Sequence, residues 1–156
     1  MKQGIAMFLL ALHEGNWNGK GIRKMAETVK GTFSFSADEY RRGLDSDTAL
    51  GLENAGTEPF YDVFARWKQL TPMEQELKER VIRKIEKLLE KRTAGIMDAN
   101  RRNYYGECAA YIAALGEVKE SLGDTGAKQR FMTFYKEKYS RRSAFRAEMK
   151  AYGWRG

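Results

Sequence analysis

The sequence has one cysteine, one histidine and two prolines. A lone Cys108 excludes an intramolecular disulfide and points to a reducing, cytoplasmic setting. With His13 as the only histidine, a four-ligand structural zinc site has too few donors. Scarce proline, together with 31% charged residues, favours helices over turn-rich β structure. Long apolar runs are missing too: Ile5–Leu12 falls far short of the roughly 20 residues that span a bilayer. Only Lys2 precedes that run, and His13-Glu14-Gly15-Asn16 follows it in place of a small-residue cleavage site. It reads as a buried first helix and not as a secretion signal.

Catalytic and cofactor signatures are equally scarce. No G-x-S-x-G elbow or S-x-x-K stretch occurs. Cys108 sits in an apolar helical row with no base suggested beside it, the setting of a small hydrophobe. His13 ends an apolar segment, as a helix-terminal cation or a core-edge side chain does. "GNWNGKG" (residues 15–21) has glycines and a lysine ahead of a helix. It lacks the G-x-x-x-x-G-K-[ST] spacing and the preceding strand of a phosphate loop. It reads as a connector, although an anion can rest on the free N–H groups of the next helix. "GLDSDTALGLENAG" offers Asp45, Asp47 and Glu53, but Ala49, Leu50 and Gly56 stand where a calcium loop needs an acid, a glycine and a glutamate. No cofactor and no metal are expected, and the chain is not read as an enzyme.

What is present is helical periodicity. Hydrophobic residues at 42% over 156 positions suit one soluble domain, and the fold class expected is all-α. Residues 1–56 form short glycine-punctuated helices; residues 57–156 form longer ones. Met7, Phe8, Leu10, Ala11 and Leu12 suit a first helix, and Ile22, Met25, Ala26 and Val29 a second. Ser36 and Glu39 form a capping box. Phe60, Val63, Phe64 and Trp67 share a face. The helix over 72–92 is expected to start with Thr71 as cap and Pro72 as first residue. Met73, Leu77, Val81, Ile85, Leu88 and Leu89 are its stripe, and Glu74–Lys78, Glu76–Arg80 and Glu79–Arg83 its i,i+4 pairs. Gly95 separates it from a second long helix, 98–122, which Gly123 caps. These two should form an antiparallel pair. A further helical segment follows, then a closing helix with Ser140 as cap and Gly153 as stop.

The charge is unevenly spread. Lys128–Gly156 carries nine cations against two acids, so the entire net +7 lies in the last fifth of the chain. At helical spacing Phe145, Met149 and Tyr152 make an apolar ridge, and Arg142, Arg146 and Lys150 make a basic row on its flank. Such a helix docks by its rings and leaves cations outside, where they can neutralise phosphates. The candidate contact residues are Lys136, Lys138, Arg141, Arg142, Arg146, Lys150, Trp154 and Arg155, with Tyr139 and Trp154 as the rings free to stack. The bland counterpart takes Phe131, Phe134, Tyr135 and Phe145 as core and the cations as a solvated surface.

"YYGECAAYIAALGEVKESLG", followed by "FMTFYKEKYSRRSAFRAEMKAYG", resembles the C-terminal helical region of some bacterial SWIM zinc-finger proteins. There an alanine-rich helix precedes a Lys-Tyr-x-Arg-Arg turn and a short closing helix. The likeness covers about the last third of the chain; the family's C-x-C…C-x-H zinc element is missing, so no metal site carries over. It implies a bacterial helical accessory segment associated with nucleic acids and protein partners. The expectation is therefore a non-enzymatic binding module. Its partner is a nucleic acid or a protein, including a larger parent protein, met through the basic C-terminus and with no membrane role. The alternative is a protein–protein adaptor or self-associating helical scaffold with no nucleic-acid role, using spare apolar surface such as Trp17, Trp67 or Trp154.

Overall fold

The computed structural model describes residues 2–30, 59–70 and 72–156; for residues 2, 3, 59–63 and 67 it describes the backbone alone. Its elements are α1 (Lys2–Leu12), α2 (20–30), α3 (Pro59–Leu70), α4 (Gln75–Asp98), a 3-10 turn (Arg102–Tyr104), α5 (Tyr105–Ser121), α6 (Ala127–Lys138) and α7 (Ser143–Ala151). No strand occurs among the described residues, and the all-α class holds.

Helix α5 is the hub. Tyr105 and every residue from Cys108 to Val118 are buried, so the helix meets protein on all its faces. That requires apolar and small side chains all round. Ala109, Ala110, Ala113 and Ala114 supply them, and Gly116 lets α6 come to backbone contact: a Cβ there would collide with Lys128 Cα. Gly21 does the same for α2, because a Cβ on it would run into the Ala114 nitrogen. Two ion pairs fix the direction of α4 along α5, Arg92–Glu107 at 3.1 Å and Lys119–Glu86 further along. Later residues of α5 meet earlier residues of α4, which is the antiparallel pairing expected. Helix α7 crosses the start of α5, where the Phe145 and Tyr105 rings meet edge to face at 5.8 Å.

Three helices end in the same way. Asn100, Gly123 and Gly153 have positive φ, and the N–H of the residue after each reaches back to a helical carbonyl: Arg101 to Ile96, Asp124 to Lys119, Trp154 to Met149. These are Schellman ends, which need a residue that tolerates the left-handed region. Gly123 and Gly153 were legible as stops. Gly95 was misread as one. Helix α4 runs through it to Asp98, because Ile96 and Met97 on the next turn are buried. A mid-helix glycine costs only about 1 kcal/mol, less than two buried apolar side chains contribute.

Other local expectations also shift. Helix α4 starts at Gln75 with Glu74 as cap, so Pro72 lies ahead of the helix and Thr71 lies outside the described residues. Lys78 pairs with Glu14 of the loop after α1 and not with Glu74; neither Glu76–Arg80 nor Glu79–Arg83 closes to ion-pair distance among the described residues. Helix α7 is capped at Arg142 and not at Ser140. In α1 the core face is Ile5, Ala6, Leu9, Leu10 and Leu12, while Phe8 faces outward. Ile22, Met25, Ala26 and Val29 of α2 are all buried, as the spacing required. The capping box at Ser36–Glu39 and the acidic stretch 43–56 lie outside the described residues, as do the side chains of Phe60, Val63 and Trp67.

Candidate polyanion interface

Helix α7 lies as its pattern dictates: Phe145 and Met149 are fully buried and Tyr152 is half-buried. Arg146 and Lys150 stand exposed on its outer side. Arg142 does not extend the free row. Its Nη1 donates to Asn100 Oδ1 at 2.5 Å and its Nη2 to the Met97 carbonyl at 3.0 Å. Met97 O belongs to the last turn of α4, where carbonyls lack helical partners and the helix dipole is negative. Arg142 is thus a C-terminal cap for α4.

That contact brings together two arginine doublets. "NRRN" (100–103) follows α4 and "SRRS" (140–143) precedes α7, and the Arg142–Asn100 bond joins them at one end of the bundle. Arg101, Arg102 and Arg141 each lie one or two Cα steps of about 3.8 Å from the bonded pair. All three are exposed and pair with no carboxylate among the described residues. Arg146 turns its guanidinium back onto the Ser140 carbonyl at 3.2 Å, toward the same turn. Asp98, two residues before Asn100, and Glu148, whose carboxylate lies against Gly106 just after the 3-10 turn, are acids of this region. Helix α7 has no acidic residue in its first turn and no side-chain cap, so its amide end adds positive potential.

The other candidates are placed elsewhere. Lys138 reaches across to Glu90 on α4 at 3.1 Å, and this hydrogen bond holds its ammonium pKa above the usual value. Trp154 is 7% exposed and donates to Thr133 Oγ1 at 3.2 Å; it is not a free ring. Lys136 sits 5.7 Å over the Trp154 ring. Arg155 is exposed, with its backbone N–H on Gln129 Oε1 at 3.1 Å. Lys136, Trp154 and Arg155 therefore form a separate group against α6, away from Asn100. Tyr139 is half-buried, edge-on to Phe145 at 6.2 Å. Phe134, a core residue in the bland counterpart above, is 54% exposed. It lines a groove of about 360 Å³ with Phe131, Glu86, Glu90, Lys119 and Asp124.

Arg101 and Arg102 were missed because a running charge total assigns them to the balanced part of the chain. The repeated polar-Arg-Arg-polar pattern was the available signal. A second miss concerns the 15–21 loop. An anion does rest on the N-terminus of α2, and it is the protein's own Glu117. Its carboxylate accepts from Gly21 N–H at 3.2 Å and from Ile22 N–H at 3.0 Å, with Lys128 Nζ at 3.6 Å. Gly19 lies so close that a Cβ would collide with the carboxylate. This end of the helix is closed to a ligand.

His13 is a core-edge side chain and not a helix-terminal cation. It is 4% exposed, its Nε2 lies 2.7 Å from the Asn16 carbonyl, and its ring lies 5.4 Å from Trp17. Burial lowers its pKa, partly offset by the Asn16 carbonyl, so the ring is neutral at pH 7. Burial likewise pushes the Cys108 thiol up to about 11, which leaves it without thiolate character. No group of three or more His, Cys, Asp or Glu able to hold a metal occurs among the described residues. No described helix is long and apolar enough to cross a membrane. No family model, curated protein or solved structure matches the chain.

Proposed function

We propose that this chain is a non-catalytic accessory module that holds the phosphate backbone of a nucleic acid on the arginine cluster at the Asn100 turn. The reading rests on one observation, the Arg142–Asn100 bond that joins the two doublets. Arg101, Arg102, Arg141 and Arg146 supply planar donor forks that match phosphate oxygens. The bias of net charge toward Lys128–Gly156 and the resemblance of that region to SWIM-protein helices lend support. The resemblance also underlies a bacterial assignment, and the lone Cys108 a cytoplasmic one. Lys150 lies one turn beyond Arg146 on α7 and extends the cationic surface, while Lys138 and Arg142 serve the fold.

The test is a titration of labelled DNA and RNA at rising salt. Four phosphate contacts give a log–log salt slope of about −3 to −4, and Arg141→Gln with Arg146→Gln flattens it by about two contacts. Binding that is absent at low salt, or indifferent to salt, sinks the reading. A second reading has its own observation: the exposed Phe134 and its groove offer a protein partner an apolar foothold. Such a contact resists added salt and is abolished by Phe134→Asp, which separates the two.

A further inference from the structure

We infer that the outer face of α6 is a two-fold contact between copies of this chain, with Phe134 at its centre. The inference rests on the Phe134 foothold described above and is independent of phosphate binding. On the inner side of α6, Ala127, Met132 and Tyr135 are buried. At 100° per residue Arg130, Thr133, Phe134 and Glu137 fall on the opposite side, in a stripe about 100° wide, the width of a helix-packing face. Arg130 and Glu137 are exposed, and so is 54% of Phe134. A hollow of about 370 Å³ runs along this stripe, lined by those four residues and Gln129. The groove of about 360 Å³ lies on the other flank of the Phe134 ring, toward Phe131 and Tyr135. Phe134 is thus a knob with a hollow on either side.

A two-fold contact needs a patch complementary to itself: where one residue meets a second, the second meets the first. Antiparallel pairing of α6 with its copy, about the midpoint of Thr133 and Phe134, has that property. Arg130 and Glu137 lie equally far from that midpoint. Each Arg130 therefore faces Glu137 of the second copy, and each Glu137 faces Arg130 of the second copy. Gln129 faces Lys138 and Phe134 faces Thr133, so no two like charges stand directly opposite. Arg130 has donors to spare, because the Thr125 carbonyl at 2.7 Å and Asp124 take two of its five N–H groups. Glu137 makes no ion pair among the described residues. On the groove side Glu86, Glu90 and Asp124 are already paired with Lys119, Lys138 and Arg130. That neutral rim lets two chains of net charge +7 approach here, around an apolar centre of the kind that anchors interfaces. An unlike partner has no need of this mirrored order of charges.

Helix α6 has 12 residues and is about 18 Å long. The contact therefore sits at the small end of specific interfaces, under about 1,200 Å², and the dimer is weak. Sedimentation velocity of the full chain from about 10 μM to about 1 mM should show a rapid monomer–dimer equilibrium. Phe134→Asp should raise its midpoint concentration roughly tenfold or more. Arg130→Glu and Glu137→Arg should each weaken the dimer, because like charges then face each other. Mixed in equal amounts, these two variants should associate again, because both opposed pairs then carry opposite charges. Circular dichroism shows that each variant is folded. A chain that stays monomeric throughout overturns the inference and leaves the foothold to an unlike protein. A dimer that Phe134→Asp leaves intact overturns it and removes the foothold as well. A mixture no more associated than its two components also overturns it. Titrating DNA with Phe134→Asp reads the phosphate proposal separately, since that variant keeps every arginine of the cluster.

Discussion

Glu117 Oε2 accepts a hydrogen bond from the Ile22 backbone N–H at 3.0 Å, across ninety-five positions of sequence. The same carboxylate takes the Gly21 N–H, so one side chain of the central helix closes the amino end of α2. Backbone amides at a helix start lack helical acceptors, and a negative charge there is favoured by the dipole. Glu117 does both jobs from inside the protein and locks α2 to α5. Burial still dominates its titration: its pKa is raised, against the opposing pull of Lys128 and the two amides.

Removing that side chain should therefore be costly, and removing only its charge should not. Glu117→Ala leaves two buried N–H groups and Lys128 without partners, a loss of about 2–4 kcal/mol. Glu117→Gln keeps an acceptor and sheds the buried charge, a loss of about 1 kcal/mol or less. The pH dependence has a definite sign. A folded pKa above the ordinary 4.5 means that the native state binds the proton more tightly. Its contribution to stability is full below 4.5 and is lost as pH rises through the raised value. Urea denaturation of wild type against Glu117→Gln across this range isolates it; a difference that grows in the opposite direction contradicts the assignment.

His13 should titrate with the reverse sign. Its folded pKa lies below 6.5, so its contribution is present above pH 6.5 and is lost as pH falls toward the lowered value. His13→Gln, which keeps a donor for the Asn16 carbonyl, should abolish that acid-side loss. Comparing thermal midpoints of the two proteins on either side of pH 6.5 measures it. Parallel pH profiles would show that the ring stays solvated.

Period and turn chemistry made much of this fold legible. Ile22, Met25, Ala26 and Val29 announce the buried side of α2, and Phe145 and Met149 that of α7, because i,i+3 and i,i+4 spacing fixes a face whatever it packs against. Helix ends were legible where glycine did the work, at Gly123 and Gly153, and not where asparagine did, at Asn100. Long-range polar contacts left no such trace. Nothing in the local sequence shows that Arg142 meets Asn100, forty-two positions earlier, or that Glu117 fills the loop at Gly19–Gly21. The charge count over Lys128–Gly156 found half of the arginine cluster. It missed Arg101 and Arg102 because acids elsewhere in residues 1–127 cancel them on paper. Trp154 looked free beside Arg155, but it joins the core, with its indole N–H on the Thr133 hydroxyl and Lys136 over its ring.

Three glycines give contrasting expectations for the same substitution. Gly95→Ala meets open space in mid-helix and should stabilise by about 0.5–1 kcal/mol. Gly21→Ala and Gly116→Ala push a methyl into the backbone of Ala114 and of Lys128, and should each destabilise by about 1–3 kcal/mol. Chemical denaturation of the three variants tests the packing around α5. A stable Gly21→Ala protein would mean that α2 is not seated flat on that helix.

Arg142 separates structural from functional charge within one doublet. Its guanidinium spans Asn100 Oδ1 and the Met97 carbonyl, two acceptors that a lysine ammonium cannot bridge in the same planar geometry. Arg142→Lys should therefore lose about 1–2 kcal/mol of stability while keeping the net charge. Arg141→Lys, one position away with no acceptor among the described residues, should leave stability unchanged within about 0.5 kcal/mol. Polyanion affinity should respond differently. Arg142→Lys loosens the turn that holds Arg101 and Arg102 beside Arg141, and so weakens binding without changing the number of cations. A stability loss with unchanged affinity would mean that the doublets act independently. Unchanged stability would mean that Arg142 is a surface cation after all, and the link between the two turns would have to be made by other residues.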